Sequence, residues 1–457
     1  MTAEVATLIA ELRRSPWVSA APLMRAVGVG SQASFSRLLA RAGDAVLRVG
    51  TTRDRRYAAA RSVRGLAQPL PLYRVGEDGA LARVAVVAAS APEGVCVSGA
   101  PSLPRWMRGA QGNGIASGLP VFHVGQRPAG FLGHSFARRH PALGLPDRPE
   151  DWTDDDTLVA LPCAGEDLTG DLVTGETSAT RLYESRARGL EPIPRGERSH
   201  RYPALATEAI GGAMPGACLG GTQPKFGAFV GDAGSAVHAL VKFSPAEISP
   251  SARRWCDLLA CEHLALEAMR AHGWAAAKSG LVEGGSRVFL EVERFDRVGE
   301  RGRRPAVSLA AMNAEYLRMP PGAGHWVGAI ERLADEGFVL PATVDRARAL
   351  DAFGRFIANT DMHFGNLSFT PRDDGTLDLA PVYDMLPMGY APVAGDVPAR
   401  VFAAPLPEPG REVAWSEAGA LAATYWRAVA RDDRVSDPFR RIAADNAAVV
   451  EEILSRF

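Results

Sequence analysis

The chain has 457 residues, enough for two to four domains, and its 47 % hydrophobic and 23 % charged content is ordinary for a soluble globular protein. A formal net charge of −1 excludes a polyanion binder over the whole surface, yet residues 1–66 hold eleven Arg against four Asp or Glu, which directs that end towards nucleic acid. No apolar run approaches about 18 residues and Met1–Val5 lacks a signal-peptide start, so no membrane partner is expected and the cytoplasm is the expected compartment.

In chain order, Val5, Leu8, Ile9 and Leu12 give residues 3–14 a helical period that Ser15-Pro16 ends. Ser19 is placed to cap a second helix, 20–27, and Ser31 a third, 32–42. The third has Phe35, Leu38 and Leu39 inward and Gln32, Ser34, Arg37 and Arg41 outward. Residues 45–50 and 56–61 read as two short strands around a basic turn with Arg53, Arg55 and Arg56. Three helices and a basic hairpin predict a winged helix-turn-helix over residues 1–66, its third helix in the major groove of a DNA operator and its wing on phosphates. The alternative is a helical protein-interaction domain with a solvated Arg face.

Gln68–Pro71 reads as a linker. Residues 67–190 read as a β-rich subdomain from the short apolar runs 81–89, 95–98, 119–124 and 157–162. Gly165–Leu172 is a structural turn, since it lacks the ligand pattern of a calcium loop. Residues 186–203, rich in Arg, Gly and Pro, read as a mobile loop. His123, His134 and His140 have no paired spacing. The five cysteines, Cys96, Cys163, Cys218, Cys256 and Cys261, form no CxxC pair, which argues against a disulfide framework or a zinc site.

Only three of the 51 basic residues are Lys: Lys225, Lys242 and Lys278. A lysine kept in such a chain is expected where a compact ammonium is wanted, against the alternative of chance survival. Gly220-Gly221-Thr222-Gln223-Pro224-Lys225 lets backbone N–H groups approach phosphate. It leads into strands 226–230 and 238–243, and Lys242 within the second suits a kinase lysine on the α- and β-phosphates. A helix over 251–271 offers both Glu262 and Glu267 as its partner. Strand 289–295 can serve as a hinge, with Phe295 towards adenine. Residues 191–300 then form one unit and the more helical 301–457 another.

Helix 341–358 delivers Asn359-Thr-Asp361-Met-His363-Phe-Gly-Asn366-Leu-Ser368, and Asp384 follows. A carboxylate that accepts a hydroxyl proton, an amide five residues on and a second carboxylate after a hairpin are what phosphoryl transfer requires. Asp361 is the expected base, with Asn366 and Asp384 the expected Mg2+ ligands. His363 is placed at the nucleotide site as a loop-structuring residue rather than a catalyst.

Gly220–Lys225, Val241–Pro245, Glu291–Arg297, Asn359–Ser368 and Pro381–Asp384 together resemble the HipA family of bacterial toxin kinases, in particular its YjjJ-like subgroup with a fused helix-turn-helix. The resemblance implies an α+β fold, a bilobal kinase with a β-rich N-lobe and a helical C-lobe. It also implies ATP and Mg2+ as cofactors and serine or threonine of a protein as substrate, an aminoacyl-tRNA synthetase in characterised members. By that resemblance Glu262 partners Lys242, Glu293 and Phe295 line the adenine site, and residues 220–225 form the phosphate loop. A HipB-like antitoxin and a homodimer on paired DNA half-sites are the expected partners. Many family members carry an autophosphorylated Ser just before the Gly motif; this chain has Cys218 there, with Thr222 as a substitute. Two rival readings are a nucleotide-sensing transcription regulator and a small-molecule phosphotransferase. The second is weakened because His363 follows Asp361 instead of preceding it.

Overall fold

Val5, Leu8, Ile9 and Leu12 are buried on the helix Ala3–Arg14 of the computed structural model, which describes residues 2–51, 54–99, 103–211, 223–232, 234–320 and 326–457. The helices Ala20–Ala26 and Gln32–Ala42 follow, and Phe35, Leu38 and Leu39 close a small core with the first helix. Strands Val18–Ser19, Arg56–Ala59 and Val46–Val49 form a three-stranded sheet with Arg56–Ala59 in the middle. Ser31 caps its helix by accepting a bond from Ser34 N. Ser19 does not cap, because the third residue of its helix is Pro22, which has no N–H to donate.

No linker separates this unit from the next. Strand Leu70–Val75 already pairs Leu70 with Val87, and the Gln68 side chain donates to Arg61 O at 2.9 Å and accepts from Ala89 N at 2.7 Å. The antiparallel five-stranded sheet runs Ile115–Ala116, Val95–Ser98, Leu81–Ala89, Leu70–Val75, Leu172–Thr174. Two apolar runs read as strands are helices, Val121–Gln126 and Asp154–Ala164. Periodicity cannot separate a short buried helix from a buried strand, and the second helix announces itself only through the Thr153–Asp156 capping box. The expected loop over 186–203 is also mostly structured: helix Glu176–Arg188 stops at Gly189 and helix Arg198–Ile210 begins soon after.

A four-stranded antiparallel sheet follows, ordered Ser279–Gly284, Arg287–Glu293, Val237–Phe243, Lys225–Val230. Alternation decides its faces. Phe226, Ala239, Val241, Phe243 and Phe289 pack on Tyr202 and Ala206 of helix Arg198–Ile210. Lys242 therefore points the other way, towards helix Pro250–Ala271, whose Leu259 packs on Leu290 and Val292. Ser249 caps that helix through Ala252 N, and Pro250 sits at its first position, where no N–H is needed.

The long C-terminal helices Glu412–Arg431 and Asp437–Arg456 pack on each other, and the first of them also packs on helix Pro341–Phe356. One buried cluster runs from Val87 and Trp106 through Trp326 and Phe353 to Trp426, so the five-stranded sheet and the C-terminal helices share a core. Helix Pro341–Phe356 ends with Ala358 in the left-handed region at φ +57°, and Asn359 N reaches back to Gly354 O at 2.8 Å. That cap turns the chain sharply into residues 359–368. Among the described residues, no helix is long and apolar enough to cross a membrane.

Candidate active site

Lys225 and Lys242 stand opposite each other in the antiparallel register, both nearly fully buried. Lys242 Nζ donates to the two Glu262 oxygens at 2.6 and 2.8 Å and also to Asp384 Oδ1. Of the two candidate partners, the geometry selects Glu262; Glu267 instead accepts from Arg270 at 2.7 Å. Two carboxylates on one ammonium form a tightly coupled group. Burial alone would lower the Lys242 ammonium, but Asp384 and Glu262 hold it well above its ordinary value. Burial would raise Asp384, yet Lys242 and Lys225 keep it below the usual carboxylate range. Glu262, fully enclosed, is raised by burial despite Lys242. Lys225 is pushed down to about 8, first by burial, with the neighbouring Lys242 charge adding to it.

The stretch 359–368 is held by its own polar side chains. Asn359 Oδ1 accepts from Asp361 N at 3.0 Å while its Nδ2 donates to Asp384 O at 3.3 Å. One asparagine thus ties Asp361 to Asp384. Asn366 Nδ2 donates to Asp361 O at 2.9 Å, which leaves its side-chain oxygen as a ligand atom. His363 Nδ1 accepts from Gly365 N at 3.0 Å, and its Nε2 lies 4.0 Å from Asp361 Oδ1. Burial raises the Asp361 carboxyl above its ordinary value; His363 works against that and Asp384 with it. Asp384 adopts φ +53°, unusual for a residue other than glycine. The Asn359 bond and the Lys242 ion pair hold it there, a strain of the kind concentrated at functional sites.

These groups meet in a cleft of about 240 Å3, which Lys225, Leu240, Lys242, Phe295, Asn366 and Asp384 help to line. Phe295 stacks on Tyr383 at 6.0 Å between ring centroids. Glu293 lies on an adjoining cavity of about 450 Å3 with Phe295, its carboxylate 3.6 Å from Lys278. Gly220, Gly221 and Thr222 fall outside the described residues, as does Cys218; Gln223 and Lys225 are described. Among the described residues no cluster of three His, Cys, Asp or Glu could hold a metal alone. The donor set here is one carboxylate and one amide oxygen, which suits a hard divalent cation that takes its remaining oxygens from a bound phosphate.

Three roles escaped sequence reasoning. Asn359 is the tie just described. Tyr383 OH donates to Gly365 O at 2.9 Å and meets Ser368 Oγ at 2.8 Å, bracing the loop from behind. Asp296 accepts from Arg294 at 2.8 Å, from Arg297 at 2.5 Å and from Gly170 N at 2.8 Å, which staples the segment after strand Arg287–Glu293 to the loop that leads into strand Leu172–Thr174. The Arg-Phe-Asp-Arg run 294–297 was the only signal for it, as alternating charges in an otherwise buried strand end.

On the N-terminal unit, Gln32, Arg37 and Arg41 are exposed and Ser34 half-buried on helix Gln32–Ala42; Arg55 and Arg56 are exposed beside it in sequence, and Arg53 lies outside the described residues. Three of the expected contacts already have partners within the unit: Arg41 pairs with Glu4, and Arg37 donates to Ser34 Oγ at 3.2 Å.

Residues 66–183 match the family described as "YjjJ-like toxin, middle domain", and residues 217–451 match the "HipA-like C-terminal domain". Toxin YjjJ of Escherichia coli (strain K12) is 37 % identical over 437 residues, covering 95 % of each chain. Among solved structures, a chain of the Shewanella oneidensis MR-1 toxin–antitoxin complex of HipA, HipB and operator DNA superposes with a TM-score of 0.54 at 14 % identity. The match covers 85 % of this chain and 97 % of that one, and at that identity the likeness is one of fold.

Proposed function

The chain belongs to the YjjJ-like toxins with a HipA-like C-terminal domain, and on that premise we propose that it is an ATP- and Mg2+-dependent protein serine/threonine kinase, the toxin of a toxin–antitoxin pair. One observation carries this reading: Lys225, Lys242, Asn366 and Asp384 come from four separate chain segments and line one cleft, and Asp361 stands next to it, bonded through its carbonyl to Asn366 and within reach of the Lys225 charge. ATP with Mg2+, when bound, supplies the transferable phosphoryl group with its charge partly neutralised.

The protein's own groups do the rest. Lys225 and Lys242 hold phosphate oxygens. Asp384 and the Asn366 side-chain oxygen hold the cation. Phe295 and Leu240 offer apolar surface to the base. Asp361 accepts the proton as the substrate hydroxyl oxygen bonds to phosphorus and the bond to the leaving diphosphate breaks. Its raised pKa brings it nearer the range in which a base is effective. Comparing phosphoproteomes after induction of the wild type and of Asp384→Ala tests activity and substrate together. New serine or threonine phosphorylation is expected only with the wild type. Equal labelling in both sinks the assignment, and label on a small molecule instead of a protein selects the small-molecule phosphotransferase.

A second reading has its own support. Three helices and a three-stranded sheet with Arg56–Ala59 central, over residues 3–59, favour a winged helix-turn-helix. We propose that it binds operator DNA through Gln32, Arg37 and the exposed Arg55 and Arg56, as a two-fold dimer on paired half-sites. That HipA was solved with HipB and operator DNA supports an antitoxin and a DNA partner here too. Fluorescence anisotropy on promoter DNA should show Arg37→Ala weakening binding about fivefold or more at ~0.15 M salt. Each lost phosphate contact should lower the salt slope by about 1. Wild-type protein that binds no promoter DNA under those conditions removes this reading.

A further inference from the structure

A second cavity, of about 420 Å3, opens on the sheet face that carries Lys242 but at the far end of the same strand pair, beside Phe229 and His238. Its walls carry seven arginines against three carboxylates. Several of these charges are already matched: Arg294 and Arg297 by Asp296, and Arg181 by Glu166 at 2.8 Å. Arg301 lies 3.5 Å from Glu300, while the exposed Arg188 and the less exposed Arg186 and Arg303 have no carboxylate within ion-pair distance among the described residues. Arg186 spends its guanidinium on two carbonyls, Gly79 O at 2.6 Å and Arg301 O at 2.7 Å. Arg303 is 5 % exposed, and its Nη2 donates to the Glu166 carbonyl. Its Nη1 is buried and meets no acceptor among the described residues.

Arg303 thus lines the cavity with a guanidinium whose enclosed Nη1 lacks an acceptor, within a wall of excess positive charge. Burial and the Arg297 charge already press Arg303 down to about 9, so an anion here would relieve it. A planar guanidinium fork matches a phosphate group best. A bare anion is not the whole answer, however. Glu166 Oε2 on the same wall is also buried without a partner. A phosphate alone would set negative charge beside that oxygen, whereas a ligand that also carries a hydroxyl or amine would donate to it. The volume lies in the range of small-molecule sites.

We propose that this cavity binds a phosphomonoester of a hydroxylated small molecule, of sugar-phosphate or nucleotide size, with the phosphate on Arg303 and Arg186 and a hydroxyl on Glu166. The site lies apart from the catalytic cleft and touches it only through Arg294, which lines both. A phosphorylated metabolite could thus be sensed next to the hinge without competing for Lys242.

Isothermal titration of the full chain with ribose 5-phosphate, which lacks a base for the cleft, tests this. One equivalent is expected to bind. Arg303→Gln should weaken it at least about tenfold, the effect of a lost charge-assisted bond. Arg301→Ala, whose side chain is 54 % exposed and whose loss the fold should bear, should weaken it about threefold through charge alone. Lys225→Met, in the cleft, should leave it unchanged. Absence of binding at 5 mM overturns the proposal, as does binding that Lys225→Met removes while both arginine variants keep it. Inorganic phosphate that binds as tightly as the ester overturns the role given to Glu166.

Discussion

Replacing Asp361 by Asn is expected to lower the turnover of phosphoryl transfer by about 10²–10⁴-fold, the usual contribution of a positioned proton acceptor. The amide keeps the shape of the side chain but cannot take the proton. The loop should survive, because Asp361 is held through its backbone, by Asn359 Oδ1 on its N–H and Asn366 Nδ2 on its carbonyl. Steady-state kinetics should therefore show the loss in kcat with little change in KM for nucleotide. The wild-type pH profile should fall on the acid side with a midpoint above the ordinary aspartate value, since burial raises this carboxyl and the base works only when ionised. The stability sign is opposite to that of a salt-bridged carboxylate. A folded-state pKa above the unfolded one means that the native state binds more protons, so ionisation costs stability as pH rises through that interval. Asp361→Asn should then melt at or above the wild-type temperature at pH 7, and a variant that is both active and less stable would refute the role.

The second large effect concerns the ammonium shared by Glu262 and Asp384. Lys242→Met should cost about 3–5 kcal/mol of folding stability at pH 7, because it leaves a buried carboxylate without its partner. Urea denaturation measures this directly. The penalty should shrink as pH falls. Glu262 is already raised by burial with the lysine present, and without it the carboxyl rises further, so acid neutralises the stranded charge and the variant approaches the wild type. Glu262→Gln in the Lys242→Met background should restore most of the loss at pH 7 without restoring nucleotide binding. A Lys242→Met variant as stable as the wild type would mean that the three groups do not act as one unit.

Much of this site was legible in the sequence, and the reasons differ by residue. Lys242 stood out because lysine is rare in this chain and the residue sits inside an apolar strand. The choice of Glu262 over Glu267 was also within reach. Leu258, Glu262 and Leu266 follow at i, i+4 and i+8, so Glu262 shares the buried stripe while Glu267 lies one residue around the helix. Ser19 failed as a cap for a reason visible three residues on, at Pro22. The helices Val121–Gln126 and Asp154–Ala164 were harder, since apolar runs of that length carry no decisive period. Arg303 and Tyr383 were beyond sequence reasoning altogether. Their partners lie 137 and 18 residues away in the chain, and only the packed fold brings them together.

The scarcity of lysine has one more consequence. Two of the three side chains, Lys225 and Lys242, are buried in the cleft, while the Lys278 side chain is 67 % exposed. Apart from the terminal α-amine, the protein thus offers a bulky amine-directed dye or cross-linker a single surface attachment point. That point lies 3.6 Å from Glu293, on the cavity that Phe295 also lines. A fluorophore placed there would be a site-specific optical probe of the cavity beside Phe295, installed on the natural sequence without any engineered cysteine.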